Sequence, residues 1–384
     1  MNFVFFAARQ LHRQYFSRVS QQLNTLEPQG RSEVLWHKTL WQTIYWIPQL
    51  AFNNSKTSQQ RQQIVNDHLR EKQNSRKGRL RSALYWRCFR RLKTVEARLL
   101  FAIYRQALIQ TNTHQMVIWN GLKYRQRLAV CAAESCEMKV VYMENGLLPD
   151  MTTIDPKGIN YLNSVPRDIN AFQALAPIDL SPLNKSLKQQ FAPRPQHLPE
   201  SYIFVPFQVN TDSQVVLFSP WIKDMYALVQ EFEQAAEKLD KQMPDIIFKT
   251  HPACDQNYAE LIKHLENHNK LHIDNDTPTP VLIQHAMAVA TINSTVGIEA
   301  LLLDKKLLVL GHAFYSYPSL SLRADSQQAL QHCLQQLPDW QPNHLHIQQF
   351  FNYLSNRYQL PGKWQHADEG HLQACAQRLL ELSK

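Results

Sequence analysis

The sequence contains little glycine and none of the glycine-rich motifs that commonly bind phosphate. Nine glycines are spread over 384 residues, and neither G-x-G-x-x-G nor G-x-x-x-x-G-K-[ST] occurs. Any phosphate site must therefore use other backbone turns. The six cysteines show no C-x-x-C spacing, which indicates reduced thiols in a cytosolic protein. No run of 18 apolar residues is present, so we expect no membrane span and only peripheral contact with a bilayer.

Positive charge is concentrated in the N-terminal third of the chain. Residues 1–138 hold 22 Lys and Arg against 7 Asp and Glu, whereas the remaining residues hold 19 against 25. The excess peaks at residues 76–91, which read RKGRLRSALYWRCFRR and would place cations beside aromatic rings on a helix. Three interpretations stay open: a solvated helix flank, a surface for an anionic membrane or acidic acceptor, and a nucleic-acid site. Nucleic acid is not expected as a partner, because no nucleic-acid-binding motif accompanies this segment.

Apolar runs alternate with amphipathic segments along most of the chain, as in the βα units of a parallel sheet. In the first half, the predicted strands are residues 2–6, 116–120, 139–144 and 158–162, and the predicted helices include 33–52 and 95–111. In the second half, the predicted strands are 202–209, 246–249, 271–273, 288–292 and 307–310, with helices 221–239, 258–267, 279–285 and 295–302. Five prolines mark residues 176–200 as a connector. We expect an α/β fold with two domains, 1–195 and 196–384, and a cleft between them.

Two predicted strand ends in the second half carry polar residues suited to phosphate. One ends in Lys249, Thr250, His251 and Pro252, where proline stiffens the turn after the imidazole. The other opens a helix at Asn293, Ser294 and Thr295, with Glu299 one turn further on. Carboxyl ends of parallel strands form the ligand crevice, and a helix N-terminus rich in Ser and Thr favours anions. The pattern predicts a phosphorylated ligand such as a nucleotide, although ordinary helix capping also explains the second segment.

Two further segments could supply catalytic carboxylates. Residues 143–150, MENGLLPD, place Glu144 and Asn145 at a strand end, where Glu144 is either a general acid or base or simply a turn-stabilising group. After the predicted strand at 202–209, polar residues recur at every second position, which in an extended segment would put them on one face: Gln208, Asn210, Asp212 and Gln214. Asp212 is the ionisable member and the natural nucleophile or base. The alternative is that Asp212 or Ser213 caps a helix.

In this order along residues 139–311, the motifs E-N-G, Q-x-x-x-D-S-Q, H-P and S-x-x-G-x-E-A resemble those of bacterial β-Kdo glycosyltransferases of capsule and O-antigen assembly. The resemblance implies a GT-B-type α/β fold with two Rossmann-like domains. It also implies CMP-β-Kdo as donor substrate, a saccharide or lipid-linked glycan as acceptor, and retention of anomeric configuration. Asn145 departs from the pattern, since an acidic residue is common there in capsule relatives.

The resemblance also implies roles for individual residues. Asp212 would be the nucleophile and Glu144 the acid or base that assists the acceptor hydroxyl, as double displacement requires. The donor would be bound in the C-terminal domain by Lys249, His251, Pro252, Asn293, Ser294, Thr295 and Glu299. The substrate would also contact Asn145, Gln208, Asn210 and Gln214. No cofactor or metal is expected, because CMP carries one phosphate that a histidine and a helix N-terminus can stabilise.

Three alternatives to this function stay open. A CMP-sialic acid-dependent transferase would keep the fold and the nucleotide, because both sugars are anionic 2-keto acids. A non-catalytic glycolipid-binding protein would keep only the fold. A nucleotide-sugar epimerase or hydrolase of similar architecture would form product without any acceptor. The expected location is the cytoplasm, with peripheral contact at the inner membrane through the basic N-terminal domain.

Overall fold

The computed structural model describes residues 2–40, 48–50, 54–239 and 243–383. The chain forms two compact units. The first unit contains Met1–Arg70, Arg81–Val165 and Ser355–Lys384, and the second contains Glu71–Leu80 and Pro166–Leu354.

Within the described residues, the strands in chain order are β1 Asn2–Ala7, β2 Arg31–Trp36, β3 Gln115–Trp119, β4 Lys139–Asn145, β5 Met151–Asp155, β6 Tyr202–Pro206, β7 Asp245–Lys249, β8 Leu271–Ile273, β9 Ala288–Thr291, β10 Lys306–Val309, β11 Leu322–Arg323 and β12 Gln359–Pro361.

The α-helices described are α1 Gln10–Leu26, α2 Ser55–Gln73, α3 Arg76–Arg79, α4 Ala83–Thr111, α5 Tyr124–Glu134, α6 Ser181–Lys188, α7 Ser213–Phe218, α8 Met225–Leu239, α9 Ala259–Leu265, α10 Thr279–His285, α11 Val296–Leu302, α12 Gln327–Gln336, α13 His344–Tyr353 and α14 Glu369–Glu381.

The first unit is built on a six-stranded sheet of order β12-β5-β4-β3-β1-β2. Strands β2, β1, β3 and β4 are parallel, whereas β5 runs antiparallel to both β4 and β12. Alternate residues of β1 enter two separate cores, with Phe3 and Phe5 on one face and Val4 and Phe6 on the other. Burial on both faces explains why β1 reads as a continuous apolar run.

The second unit is built on a fully parallel sheet of order β11-β10-β9-β6-β7-β8. The chain proceeds from β6 outward through β7 to β8, and then returns to the other side of β6 to add β9, β10 and β11. The strand order therefore reverses between β6 and β9. In open α/β sheets such a reversal opens a crevice at the carboxyl ends of the strands, where ligands bind.

The predicted α/β class is confirmed, and most predicted strands lie within a residue or two of β1, β3, β4 and β7 to β10. Two elements predicted for the first half are wrong. Arg31–Trp36, which overlaps the first four residues of the predicted helix 33–52, is a strand, because it pairs in register with Asn2–Ala7 along one edge of β1. The rest of that helix falls partly on residues 41–47 and 51–52, outside the described residues.

The strand predicted at 158–162 is also wrong, since Asn160–Leu162 forms a 3-10 turn. The strand lies earlier, at β5, because Gly146 permits a tight reversal after β4. The backbone N–H of Gly146 donates to the carbonyl of Met151 (2.8 Å), and a Cβ on Gly146 would lie 2.4 Å from the Met151 Cβ.

The division into units differs from the predicted boundary at 195/196. The main change between units falls at Val165 and Pro166, and the last thirty residues return to the first unit. There β12 pairs with β5, and the Tyr15 hydroxyl on α1 lies 2.9 Å from Nε2 of His371 on α14. The proline-rich segment 176–200 contains helix α6 and belongs to the second unit.

Candidate active site

In the second unit, a reciprocal pair of amides spans the point where the strand order reverses. Gln208 follows β6 and Asn293 follows β9, and both side chains are buried. Nε2 of Gln208 donates to Oδ1 of Asn293 (3.0 Å), and the backbone N–H of Asn293 donates to Oε1 of Gln208 (3.2 Å). Nδ2 of Asn293 also donates to the carbonyl of Gln214 (3.0 Å). These two predicted site residues therefore hold the loops after β6 and β9 together.

Asp212 caps the short helix α7 at the same edge of the sheet. Its Oδ1 accepts from the backbone N–H of Gln214 (2.9 Å), as an N-cap residue does. Its Oδ2 has no hydrogen-bond partner among the described residues, and the side chain is half-buried. The predicted extended segment with a polar face is wrong, because β6 ends at Pro206 and a turn at Asn210 precedes α7. The capping alternative is confirmed, and it leaves one carboxylate oxygen free.

Two buried amide atoms near Asp212 lack partners. Asn210 is 1% exposed; its Oδ1 accepts from the backbone N–H of Met225 (3.1 Å), but its Nδ2 has no partner among the described residues. Oε1 of Gln214, two residues after Asp212, is likewise buried and unpaired there. Native structures rarely leave buried polar atoms unsatisfied. One unpaired donor and one unpaired acceptor, each two residues from Asp212, are what a bound polar ligand could satisfy.

The turn after β7 orients the His251 imidazole. Nδ1 of His251 accepts from the backbone N–H of Ala253 (3.1 Å), so the neutral ring carries its proton on Nε2 and can donate there. Pro252 is exposed at the tip of the turn. Nζ of Lys249 donates to the carbonyls of Asn275 (2.6 Å) and Thr277 (2.8 Å). Lys249 therefore anchors the loop after β8.

The helix start after β9 combines tight packing with polar groups. Oγ of Ser294 accepts from the backbone N–H of Val296 (3.2 Å), whereas the exposed Thr295 makes no side-chain capping bond. Gly297 allows the Tyr315 ring to approach, since a Cβ there would lie 2.7 Å from the ring. Glu299 is half-buried and has no hydrogen-bond partner among the described residues, and burial raises the pKa of its carboxyl.

In the first unit, Glu144 lies on β4 one residue before the strand ends. Its Oε2 accepts from Nδ2 of Asn120 (2.6 Å), and its Oε1 accepts from the backbone N–H of Asn145 (2.9 Å). Burial raises the pKa of the Glu144 carboxyl, and the hydrogen bonds from Asn120 and Asn145 partly offset that rise. A half-buried carboxyl with a raised pKa suits a proton acceptor near neutral pH.

Two residues near Glu144, Asn120 and Trp364, were missed by the sequence analysis, as was His12, which packs against the Trp364 ring. Asn120 has a left-handed backbone (φ 65°) and follows β3, and the Asn-Gly pair directly after an apolar run was the available signal. Nε1 of Trp364, from the C-terminal segment, donates to Oδ1 of Asn145 (2.8 Å). Burial and the nearby Arg9 charge lower the pKa of His12 to about 4, so the ring is neutral. No local pattern pointed to Trp364 or His12.

Two kinds of feature are absent from the described residues. No helix there is both long enough and apolar enough to cross a membrane. No group of three His, Cys, Asp or Glu side chains in that part of the chain is placed to hold a metal ion.

The fold matches a solved structure along its whole length. Thermosulfurimonas dismutans KpsC, a β-Kdo 2,7 transferase, superposes with a TM-score of 0.54 at 15% sequence identity, and the match covers 100% of both chains. At that identity the likeness shows the fold. Together with the two parallel-dominated sheets, it defines a GT-B-type α/β protein, as predicted.

Sequence comparisons then place the chain in a family. Residues 184–362 match the family of capsule polysaccharide biosynthesis proteins. The protein FixF of Sinorhizobium fredii is 36% identical over 281 residues, which are 71% of this chain and 67% of FixF. The capsule polysaccharide export protein KpsS of Escherichia coli is 30% identical over 179 residues, 45% of this chain and 44% of KpsS. The chain belongs to the capsule polysaccharide biosynthesis family.

Proposed function

We propose that this protein is a retaining glycosyltransferase that moves β-Kdo from CMP-β-Kdo to a saccharide or lipid-linked glycan acceptor of a bacterial surface glycan. Family membership and the fold shared with a β-Kdo 2,7 transferase support the class. The observation that carries the proposal is the Asp212 carboxylate, which is fixed through Oδ1 at the strand-order reversal and keeps Oδ2 free.

The donor nucleotide would lie over the carboxyl ends of β6, β7 and β9. Nε2–H of His251 would donate to the CMP phosphate, and the Ser294 and Thr295 end of α11 would favour the same negative charge. Glu299 would accept from the ribose hydroxyls, because its half-buried carboxyl has no donor among the described residues. Lys249 would act by holding the loop after β8 in shape, since two carbonyls already bind its ammonium group.

The chemistry would run through two displacements. Asp212 Oδ2 attacks the anomeric carbon of Kdo, the bond to the CMP phosphate oxygen breaks, and a glycosyl ester on Asp212 forms. The acceptor hydroxyl then attacks the same carbon, its proton passes to Glu144, and the ester oxygen returns to Asp212 as a carboxylate. Two inversions give net retention. The unpaired Asn210 Nδ2 and Gln214 Oε1 would bind polar groups of the sugar.

Nucleotide binding measured by calorimetry tests the donor class without an acceptor. We expect CMP to bind more tightly than UMP, UDP or GDP, and His251→Ala to weaken CMP binding at least about tenfold, because one hydrogen bond to a charged group contributes roughly 1.5–3 kcal/mol. His268→Ala is the matched control, because His268 also accepts backbone N–H groups through Nδ1 (3.1 Å from Lys270). Preference for UDP or GDP, or no binding, would refute the CMP-sugar assignment.

Transfer assays test the catalytic residues. Asp212→Asn should abolish transfer and keep the fold, because asparagine caps helices as well as aspartate. Asp168→Asn is its control, since Asp168 also accepts the backbone N–H two residues on (3.0 Å). A non-catalytic glycolipid-binding protein would tolerate Asp212→Asn and Glu144→Gln without loss. Parallel assays with CMP-Kdo and CMP-sialic acid decide which sugar is moved.

A further inference from the structure

An apolar stripe runs along the outside of the first turns of α4. Leu84, Cys88, Leu92 and Val95 recur at spacings of four, four and three, so they share one face of the helix. All four are exposed, with Leu84 at 67%, Leu92 at 63% and Val95 at 56% of full exposure. Scattered exposed leucines are ordinary, but an aligned row on one helix face marks a contact surface.

The inner face of the same turns is already packed within the first unit. Trp86 and Phe89 contact the core below, and the Phe89 ring stacks against His68 of α2 at 6.2 Å. The Lys93 ammonium lies 5.4 Å from the ring of Tyr124 on α5. The outer stripe therefore has no role in the core of this unit.

A row of arginines lies directly beside the stripe. Arg87, Arg91 and Arg98 follow one another at spacings of four and seven, on the face next to the line from Leu84 to Val95. All three are exposed, and none forms an ion pair with a described residue. No acidic residue occurs between Ala83 and Val95. The guanidinium of Arg81 lies 5.0 Å from the Tyr85 ring at the start of the helix.

We propose that the N-terminal turns of α4 bind an anionic bilayer surface, with the apolar stripe inserted between lipids and the arginine row on the headgroups. Apolar and cationic faces side by side are the signature of helices that lie in the membrane interface. Charge favours lipid over a second copy of this chain, because a symmetric contact through this face would bring two arginine rows together. The proposal stands independently of the transferase reaction.

Vesicle binding distinguishes the contribution of the arginine row from that of the apolar stripe. On vesicles of phosphatidylglycerol and phosphatidylethanolamine, Arg87→Glu, Arg91→Glu and Arg98→Glu combined should weaken binding about a hundredfold, since each arginine contributes roughly fivefold near such a surface. Leu84→Gln with Leu92→Gln should remove the fraction that stays bound in 0.5 M salt, about tenfold or more, because insertion is not screened. Binding to phosphatidylcholine vesicles should be weak throughout.

Matched controls change the same chemistry on other exposed surfaces. Arg18→Glu, Lys185→Glu and Lys263→Glu give the same change in net charge, and Leu11→Gln on α1 with Leu345→Gln on α13 removes two exposed apolar side chains away from α4. Both controls should bind vesicles like the unaltered protein. Equal losses in control and test variants, or full binding by the stripe variant in salt, would overturn the proposal.

Cys88 provides a direct measure of insertion. It is the exposed member of the six cysteines, and burial raises the pKa of Cys131, Cys333 and Cys375 to about 11, which keeps those thiols unreactive near neutral pH. A polarity-sensitive dye on Cys88 should shift to the blue on anionic vesicles and be quenched by spin-labelled lipid, with Cys88→Ser as the labelling blank. An unshifted dye on bound protein would overturn insertion. If the protein dimerises in the absence of lipid, and Leu84→Gln with Leu92→Gln abolishes that dimer, the stripe would be a contact surface for a second copy of the chain instead.

Discussion

Removal of the Gln208 amide should loosen the loops at the centre of the second unit. Gln208→Leu keeps the volume of the side chain but deletes both bonds that it exchanges with Asn293, at 3.0 and 3.2 Å. Asn293 is 4% exposed, so water cannot replace the lost partner. The variant leaves one buried acceptor, Oδ1, and one buried donor, the backbone N–H, without partners.

The magnitude follows from those two orphaned groups. An unsatisfied buried polar group costs about 1–3 kcal/mol. We therefore expect the second unit to lose about 2–4 kcal/mol of stability, part of which rearrangement of the loop recovers. Asn293→Leu should cost a similar amount, because it leaves Nε2 of Gln208 and the Gln214 carbonyl without their partners. The double variant should cost about 2–4 kcal/mol less than the sum of the two, because Oδ1 of Asn293 and Nε2 of Gln208, each orphaned by one of the single changes, are both absent from it.

Hydrogen exchange measured across a urea series resolves this effect in a protein with two units. The peptide that covers residues 288–303 reports the opening free energy around Asn293, and calorimetry of CMP binding reports whether the donor loops still align. Gln22→Leu is a suitable control, because Gln22 bonds Glu369 at the exposed surface of the first unit (2.6 Å), and such changes cost under about 0.5 kcal/mol.

Two results would refute the reasoning. A loss below about 0.5 kcal/mol for Gln208→Leu would show that the loops do not depend on the pair. Strict additivity in the double variant would show that the two amides act independently despite their contact.

Two further predictions concern the carboxyl groups. Asn120→Gly removes a hydrogen bond that lowers the pKa of the Glu144 carboxyl, and glycine tolerates the φ of 65° at this position. In the proposed mechanism Glu144 must be ionised to accept a proton, so the acid limb of the kcat–pH profile should move to higher pH. An unmoved limb would show that Glu144 takes no part in proton transfer. Burial raises the pKa of the Glu299 carboxyl, so its negative charge lowers the stability of the folded protein at neutral pH. Glu299→Gln should therefore raise the urea midpoint of the second unit at pH 7, and the gain should vanish toward about pH 4, where the carboxyl is protonated in both the folded and the unfolded protein. The same substitution should weaken CMP binding about tenfold. An unchanged midpoint together with unchanged CMP affinity would contradict both parts.

The sheet of the second unit could be predicted because its strands are buried on both faces. Residues such as Ile246, Ile247 and Phe248 form an uninterrupted apolar run whose length and flanking turns indicate a parallel strand. Strand β2 gave no such signal, since it lies at a sheet edge and keeps polar residues like Glu33. Its pairing with β1 depends on long-range contact, which local periodicity does not contain.

The local conformation around Asp212 differs from the predicted one. His251 lies two residues after β7, at the strand end that the pattern indicated. Asp212 instead caps α7 six residues after β6, and the alternation from Gln208 to Gln214 comes from a turn followed by that cap. Over only seven residues, polar side chains at every second position do not distinguish an extended segment from a turn followed by a helix cap. Trp364 could not be predicted, because it reaches Asn145 from 219 positions further along the chain.

The return of the C-terminal segment to the first unit affects the order of events during biosynthesis. The last residue of the second unit, Leu354, is added to the chain before β12 and α14 of the first unit are made. Until the C-terminal segment is made, the outer edge of β5 has no paired strand and the Tyr15 hydroxyl has no contact with His371. The half of the protein that is translated first is therefore the half that is completed last, and nascent chains must carry an open sheet edge while the later half folds.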